Sequence, residues 1–261
     1  SLLKLSPVIS EQQGDISNLR SVNSGYKEEE AIMMSMVEML RRMEDLSVAA
    51  NSDTYSANEL DIFAIEVEGY MDDIRGLANT RDANGHFMFS GTKVTTLPFT
   101  KQADGTVVYN GNQTEPTLEL DTGYQLPLSI SGHKLVGVIE RKNALGAVTS
   151  RVDMFKVMQD FVTALKANDK TGVGLALDEL QVVSRNINKN LVDNGLRQNL
   201  VEERRDISED KIVIYKGLLS EAQDVDYATA ITQLSSDMLA LEAAQSTFAK
   251  VSQLSILNFI R

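Results

Sequence analysis

The chain has 261 residues, no cysteine and a formal net charge of −12. Its acidic balance argues against a nucleic-acid backbone or an anionic membrane as partner, since both demand clustered Lys and Arg and only short pairs such as Arg41-Arg42 and Arg204-Arg205 occur. The missing cysteines exclude disulfides and thiolate metal sites, no apolar run is long enough to span a bilayer, and the length allows one to three domains.

Ile32, Met36, Met39, Met43, Leu46 and Ala50 recur at 4-3-4-3-4, which predicts a helix running from Ser10 or Asp15 to Asn51. Met33, Met34, Met36, Met39 and Met43 read as core filler or as an adaptable interface, and both readings can hold. Met33 and Met34 cannot share one narrow stripe with Met36 and Met39. Asn51-Ser52-Asp53 breaks the helix, and Ser56 with Glu59 forms a capping box that opens a second one. Its seam is Leu60, Phe63, Val67, Tyr70, Ile74 and Leu77. So short a turn makes the two helices antiparallel neighbours.

Helical spacing ends at Asn84-Gly85. His86 to Ser90 is rich in aromatics, Thr106 to Tyr109 is β-branched and aromatic, and Thr117 to Leu120 and Tyr124 to Ile130 alternate apolar with polar. Asp104-Gly105, Asn110-Gly111, Thr122-Gly123 and Ser131-Gly132 are turn dipeptides between them. Residues 86 to 148 therefore read as a small β domain inserted between helical arms.

Ser150 and Asp153 look like a cap for a helix with one face at Phe155, Met158, Val162 and Leu165, ended by Asn168-Asp169. From Thr171 to Ala222 there is no proline, and Leu177, Leu180, Ile187, Leu191, Val201, Ile212, Tyr215 and Leu219 keep helical spacing. A helix of roughly 50 residues would be about 75 Å long, so a rod is expected, with Gly195 and Gly217 as weak points. Finally, Tyr227, Ile231, Leu234, Met238, Leu241 and Phe248 form one seam of a long helix. Ala240, Ala243, Ala244 and Ala249 flank it and permit close approach of a partner helix. Leu254, Ile256, Leu257, Phe259 and Ile260 are apolar on nearly every side, which suits the interior of a larger assembly.

Chemical motifs are lacking. His86 and His133 make a metal pair conceivable, but there is no HExxH, GxSxG, P-loop or GxGxxG. Carboxylate runs such as Glu28-Glu29-Glu30 and Asp72-Asp73 read as solvated helix faces. Nothing here calls for an enzyme, a cofactor or a metal.

One ordered set of features carries a resemblance. After the antiparallel helical pair come Leu77-Ala78-Asn79-Thr80-Arg81-Asp82-Ala83-Asn84-Gly85-His86-Phe87-Met88-Phe89-Ser90-Gly91, then Leu97-Pro98-Phe99, then Tyr109-Asn110-Gly111-Asn112, and at the end Asp224-Val225-Asp226-Tyr227-Ala228 through Gln245, Phe248 and Leu254-Ser255-Ile256-Leu257. This resembles the flagellin superfamily, and within it the flagellin-like hook-filament junction proteins of bacterial flagella. The likeness covers residues 15 to 261. Asn112 stands where that family has Asp, which is expected to alter only a turn preference. The family also begins with a helix and an S-D-D-P-like segment that Leu2 to Pro7 do not supply, so a chain lacking its N-terminal arm is expected.

The resemblance implies a mainly α fold with a β insert, an elongated antiparallel helical bundle or coiled-coil rod carrying a small β domain. The expected division is 1–92 as N-terminal helical arm, 93–148 as inserted β domain, 149–224 as returning helices and 225–261 as C-terminal assembly helix. It further implies an extracellular structural subunit, secreted through the flagellar export apparatus, that joins the hook-side ring to the filament. Its partners would be the other junction protein (hook-associated protein 1), flagellin and further copies in a ring. The assembly interface would be Tyr227, Ile231, Leu234, Met238, Leu241, Phe248, Leu254 and Leu257. Flagellin itself and a cytosolic coiled-coil scaffold remain as alternatives. The stretch after Gly85 argues against the first and the turn-rich insert against the second.

Overall fold

The computed structural model describes residues 2–52, 54–120, 123, 125–142 and 145–259, and of 2–4, 222–226 and 253–259 the backbone alone. Expectations at Asp53, Thr122, Tyr124 and Ile260 lie outside the described residues, as do those on the side chains of Leu254, Ile256, Leu257 and Phe259. The elements run α1 (Leu2–Ala50), α2 (Ala57–Ala78), β1 (Phe99–Lys101), β2 (Val107–Tyr109), β3 (Thr117–Glu119), β4 (Gln125–Pro127), α3 (Gly132–Val136), β5 (Ile139–Lys142), β6 (Val148–Val152), α4 (Met154–Lys166) and α5 (Lys170–Phe259). The fold is mainly α, with long helices and small antiparallel sheets. By contacts it divides into one unit of residues 17–205 and another of 1–16 with 206–261.

In the larger unit, four helices share one core. Met33, Met36, Leu40 and Met43 of α1 meet Leu60, Val67 and Ile74 of α2, Phe155, Met158, Phe161 and Leu165 of α4, and Val173, Leu180, Val183 and Ile187 of α5. The methionines divide as their spacing requires: Met33, Met36 and Met43 are fully buried, Met39 is half-buried and Met34 is exposed. Ser56 accepts from the Glu59 amide while the Glu59 carboxylate accepts from the Ser56 amide, so the capping box forms as expected. The helix α4 is capped by Asp153, which accepts from Lys156 N–H at 2.9 Å. Ser150, the other expected cap residue, lies instead in β6, paired with Arg141.

α1 begins earlier than expected and continues through Pro7, whose ring removes a single backbone donor near the start of the helix. α5 is likewise helical through Gly195 and Gly217, and it extends past Ala222 without interruption. α1 and α5 run antiparallel within the larger unit, as Ser47 Oγ donates to Val173 O at 3.0 Å and Asn194 Nδ2 to Glu29 Oε2 at 2.8 Å.

The insert is three separate two-stranded antiparallel hairpins, β1-β2, β3-β4 and β5-β6, each set by register (Phe99 opposite Tyr109, Leu118 opposite Leu126, Ile139 opposite Val152). Hairpins this small cannot sustain themselves and need a surface to pack on. Accordingly Phe89, Phe99, Ile130, Leu135, Val136 and Ile139 join the four-helix core, while Leu120 and Leu126 pack with Leu19, Val22, Tyr26 and Val201. His86 to Ser90, expected as a strand, is turns with a single bridge between Arg81 and Phe87. Its aromatics are there for burial, since Phe87 and Phe89 are both in the interior.

In the smaller unit Ile9 and Ile16 of α1 pack on Ile212, Tyr215 and Leu219 of α5.

Candidate assembly interface

Beyond Leu219 the apolar face of α5 has no cover among the described residues. Tyr227, Ile231, Leu234, Met238, Leu241 and Phe248 are each 59% to 76% exposed, and Leu239 and Val251, which the seam reading did not include, are as open. Leu254 and Leu257, the remaining two expected interface residues, have side chains outside the described ones. The six described residues share one helix face because their 4-3-4-3-7 spacing follows the helical repeat. Charge is sparse along 227–252, where only Asp237, Glu242 and Lys250 ionise.

Three hydroxyls on this stretch are satisfied within the helix itself. Thr232 Oγ1 donates to Ala228 O, Ser235 Oγ to Ile231 O and Thr247 Oγ1 to Ala243 O, each at 2.8 Å. Such back-bonding to the preceding turn means that these three donors need no partner from elsewhere. Gln233 Nε2 is held by Asp237 Oδ1 at 2.9 Å. With few charges and these groups already bonded, the polar cost of drying the face is reduced.

The residues that carry the family likeness in the loops do structural work. Asn79 at the end of α2 donates from Nδ2 to Phe99 O and accepts from Phe99 N–H, both at 2.9 Å, clamping β1 to the helix. The Tyr109 hydroxyl lies 2.7 Å from Asn112 O and 3.0 Å from Phe89 O, donates between them, and accepts from Gly132 N–H at 3.2 Å. Burial pushes its phenol above the usual range, so it stays a donor. Gly91, Gly111 and Gly132 lie where this knot leaves no room for a side chain. A Cβ on Gly91, at φ 66°, would sit 2.2 Å from Asn112 Oδ1, and one on Gly132 would sit 2.7 Å from Phe89 O. Asn112 does more than set a turn, because its Oδ1 accepts from Thr92 N–H at 3.0 Å and its Nδ2 donates to Thr92 Oγ1 at 2.6 Å.

His86 is exposed, with Nδ1 3.8 Å from Asp82 Oδ2, and His133 belongs to α3. No group of three or more His, Asp or Glu suited to a metal occurs among the described residues. Glu29 corrects the reading of Glu28-Glu29-Glu30 as a solvated run: it is buried, accepting from Ile130 N–H and from Asn194.

Comparison with known proteins fits this arrangement. Residues 3–94 match the family model described as the bacterial flagellin N-terminal helical region. Flagellar hook-associated protein 3 of Escherichia coli is 23% identical over 96% of this chain and 85% of its own length. The chain is similar to flagellar hook-associated protein 3. The protein of that name from Salmonella typhimurium is 22% identical over 98% of this chain and 87% of its own length. Solved structures share the fold. The hook-associated protein 3 of Legionella pneumophila superposes with a TM-score of 0.76 at 16% identity, over 86% of this chain and all of that one. The hook-associated protein of Vibrio parahaemolyticus gives 0.74 at 18% identity, over 84% and 95%. These relatives indicate a flagellar hook-associated protein, a structural component of the flagellum. No helix among the described residues is long and apolar enough to cross a membrane.

Proposed function

We propose that this chain is the extracellular adapter that joins the hook-side junction ring to the flagellin filament, packing through the seam of Tyr227, Ile231, Leu234, Met238, Leu241 and Phe248, with Leu254 and Leu257 further along it. Its partners are hook-associated protein 1 on one side, flagellin on the other and copies of itself around the ring. The role is structural and contains no catalytic step. The observation that carries the proposal is the uncovered, charge-poor face of α5 in a chain similar to hook-associated protein 3 along nearly its whole length.

Drying each of these large side chains is worth about 1–2 kcal/mol before the cost of ordering it, so the seam as a whole is strong enough to hold subunits together. The test is a strain carrying Leu234→Asp, Met238→Asp and Leu241→Asp together. Unpaired charges buried at an interface cost several kcal/mol each. The variant subunit is expected to be exported while flagellin is lost to the medium and motility fails. Normal filaments on that strain would refute the seam. Normal filaments on a strain lacking the gene would refute the junction role and favour a filament subunit.

A further inference from the structure

A line of amides on α5 faces α1 and the insert where apolar residues would be expected. Asn190 Nδ2 donates to Lys134 O at 3.2 Å, Asn194 Nδ2 donates to Glu29 Oε2 at 2.8 Å, and Gln198 Nε2 donates both to Asn194 Oδ1 at 2.7 Å and to Glu30 Oε2 at 2.8 Å. Glu29 itself is 1% exposed and Asn194 2%. The other oxygen of Glu29 accepts from the backbone N–H of Ile130 at 2.9 Å, so one carboxylate ties the insert and α5 to α1. Both oxygens accept, and both donors are committed.

We propose that Glu29, Asn194 and Gln198 form a proton-triggered relay that controls whether α5 holds Glu30 of α1. A neutral carboxyl has to donate from one oxygen. The Ile130 N–H is fixed in the backbone and cannot turn, so the new O–H faces Asn194. The Asn194 amide then rotates to offer Oδ1 to Glu29, and its Nδ2 swings towards Gln198. Two donors would face each other there, so Gln198 rotates as well, presenting its own oxygen to Asn194 and withdrawing its donor from Glu30. One proton taken from solvent thus reverses two amides and releases one tie between the helices.

The surroundings favour the neutral carboxyl more than water does. Burial raises the Glu29 carboxyl above its ordinary value, and the Ile130 amide, the Arg197 charge and the Asn194 amide pull back only in part, with Glu115 adding to the rise. The charged groups that face the layer are Arg197 and Asp193 on α5, Glu115 ahead of β3, Lys134 on α3 and Glu30 on α1 itself. Arg197 Nη2 is 3.2 Å from Glu115, and Lys134 Nζ is 3.7 Å from Glu115 and 3.8 Å from Asp193, so these charges largely satisfy one another. Because the folded value lies above the unfolded one, the folded chain binds the extra proton. Its stabilising effect is complete below the unfolded carboxyl range and disappears as pH rises through the folded value.

Nuclear magnetic resonance of the full chain tests the relay. The side-chain amide signals of Asn194 and Gln198 are expected to titrate together with the Glu29 carboxyl carbon, at one midpoint above the ordinary Glu range. Glu29→Gln mimics the protonated form, accepting from Ile130 and donating to Asn194, so at neutral pH it is expected to place both amide signals at their acid positions and to abolish their titration. Amide signals that ignore the Glu29 midpoint in the unmodified chain would overturn the relay whether or not the variant folds. So would variant signals at the neutral positions of the unmodified chain.

Discussion

Val173, Ala176, Leu180, Val183 and Ile187 of α5 are buried against three other helices, whereas between Tyr227 and Phe248 positions of the same spacing and chemistry are more than half exposed. Periodicity specifies which face of a helix will be dry. It does not specify who dries it. In the first stretch the cover comes from α1, α2 and α4 and the insert packed on them; in the second, no described residue of the chain provides it. The contrast gives the same residue type opposite expected costs in the two places.

Leu180→Asp breaks the comparison on its covered side. An unpaired carboxylate would replace a side chain that is fully buried, and the loss, on the order of 4–5 kcal/mol, should leave the chain largely unfolded by urea titration. Phe99→Ala asks whether the insert belongs to that cover. The ring lies 5.3 Å from Phe155 and 5.1 Å from Tyr109, so truncation should cost about 3–5 kcal/mol and shift the unfolding of the helices with it. A loss confined to the hairpins, with the helical midpoint unchanged, would show an independent β domain instead.

Arg141→Gln probes a polar attachment of β5 to the covered stretch. The guanidinium makes two 2.7 Å hydrogen bonds to Glu179 and lies 2.8 Å from Asp160, contacts that drive its own pKa well above the usual range. Glu179 would be left nearly buried without its cation. The arginine is partly open to solvent, so the expected loss is discounted to roughly 1–3 kcal/mol. Leu234→Asp sharpens the comparison from the uncovered side, and there the isolated chain should change by no more than about 0.5 kcal/mol.

Much of this was legible in the sequence. The 4-3-4-3-4 stripe of α1, the capping box at Ser56 and the seam of α2 are local signals that survive in outline, although Met39, Leu46, Phe63, Tyr70 and Leu77 lie half-buried at the edge of the core and Ala64, Met71 and Ala78 complete the buried face of α2. The loop residues that carry the resemblance were legible as a pattern but not as a mechanism, because the Asn79 clamp and the Tyr109 knot join residues about twenty apart in the chain. The small elements were harder. β1, β5 and β6 have three to five residues, too few for alternation to speak, and the aromatics of His86 to Ser90 suggested a strand because burial and strand formation favour the same side chains. The amide layer escaped altogether. A search for apolar periodicity passes over Asn190, Asn194 and Gln198, and it reads Glu29 as solvated although its two hydrogen bonds are what allow it to be buried.

Amide hydrogen exchange on the isolated, monomeric chain and on assembled flagella tests most directly the claim that the seam at 227–248 is an interface awaiting a partner. Amides of 173–187 should be strongly protected in both states. Amides of 227–248 should exchange orders of magnitude faster than these in the monomer, where no tertiary contact supports the helix, and become comparably protected on assembly. Equal protection of the two stretches in a proven monomer would mean that the chain covers its own seam, and would contradict the account.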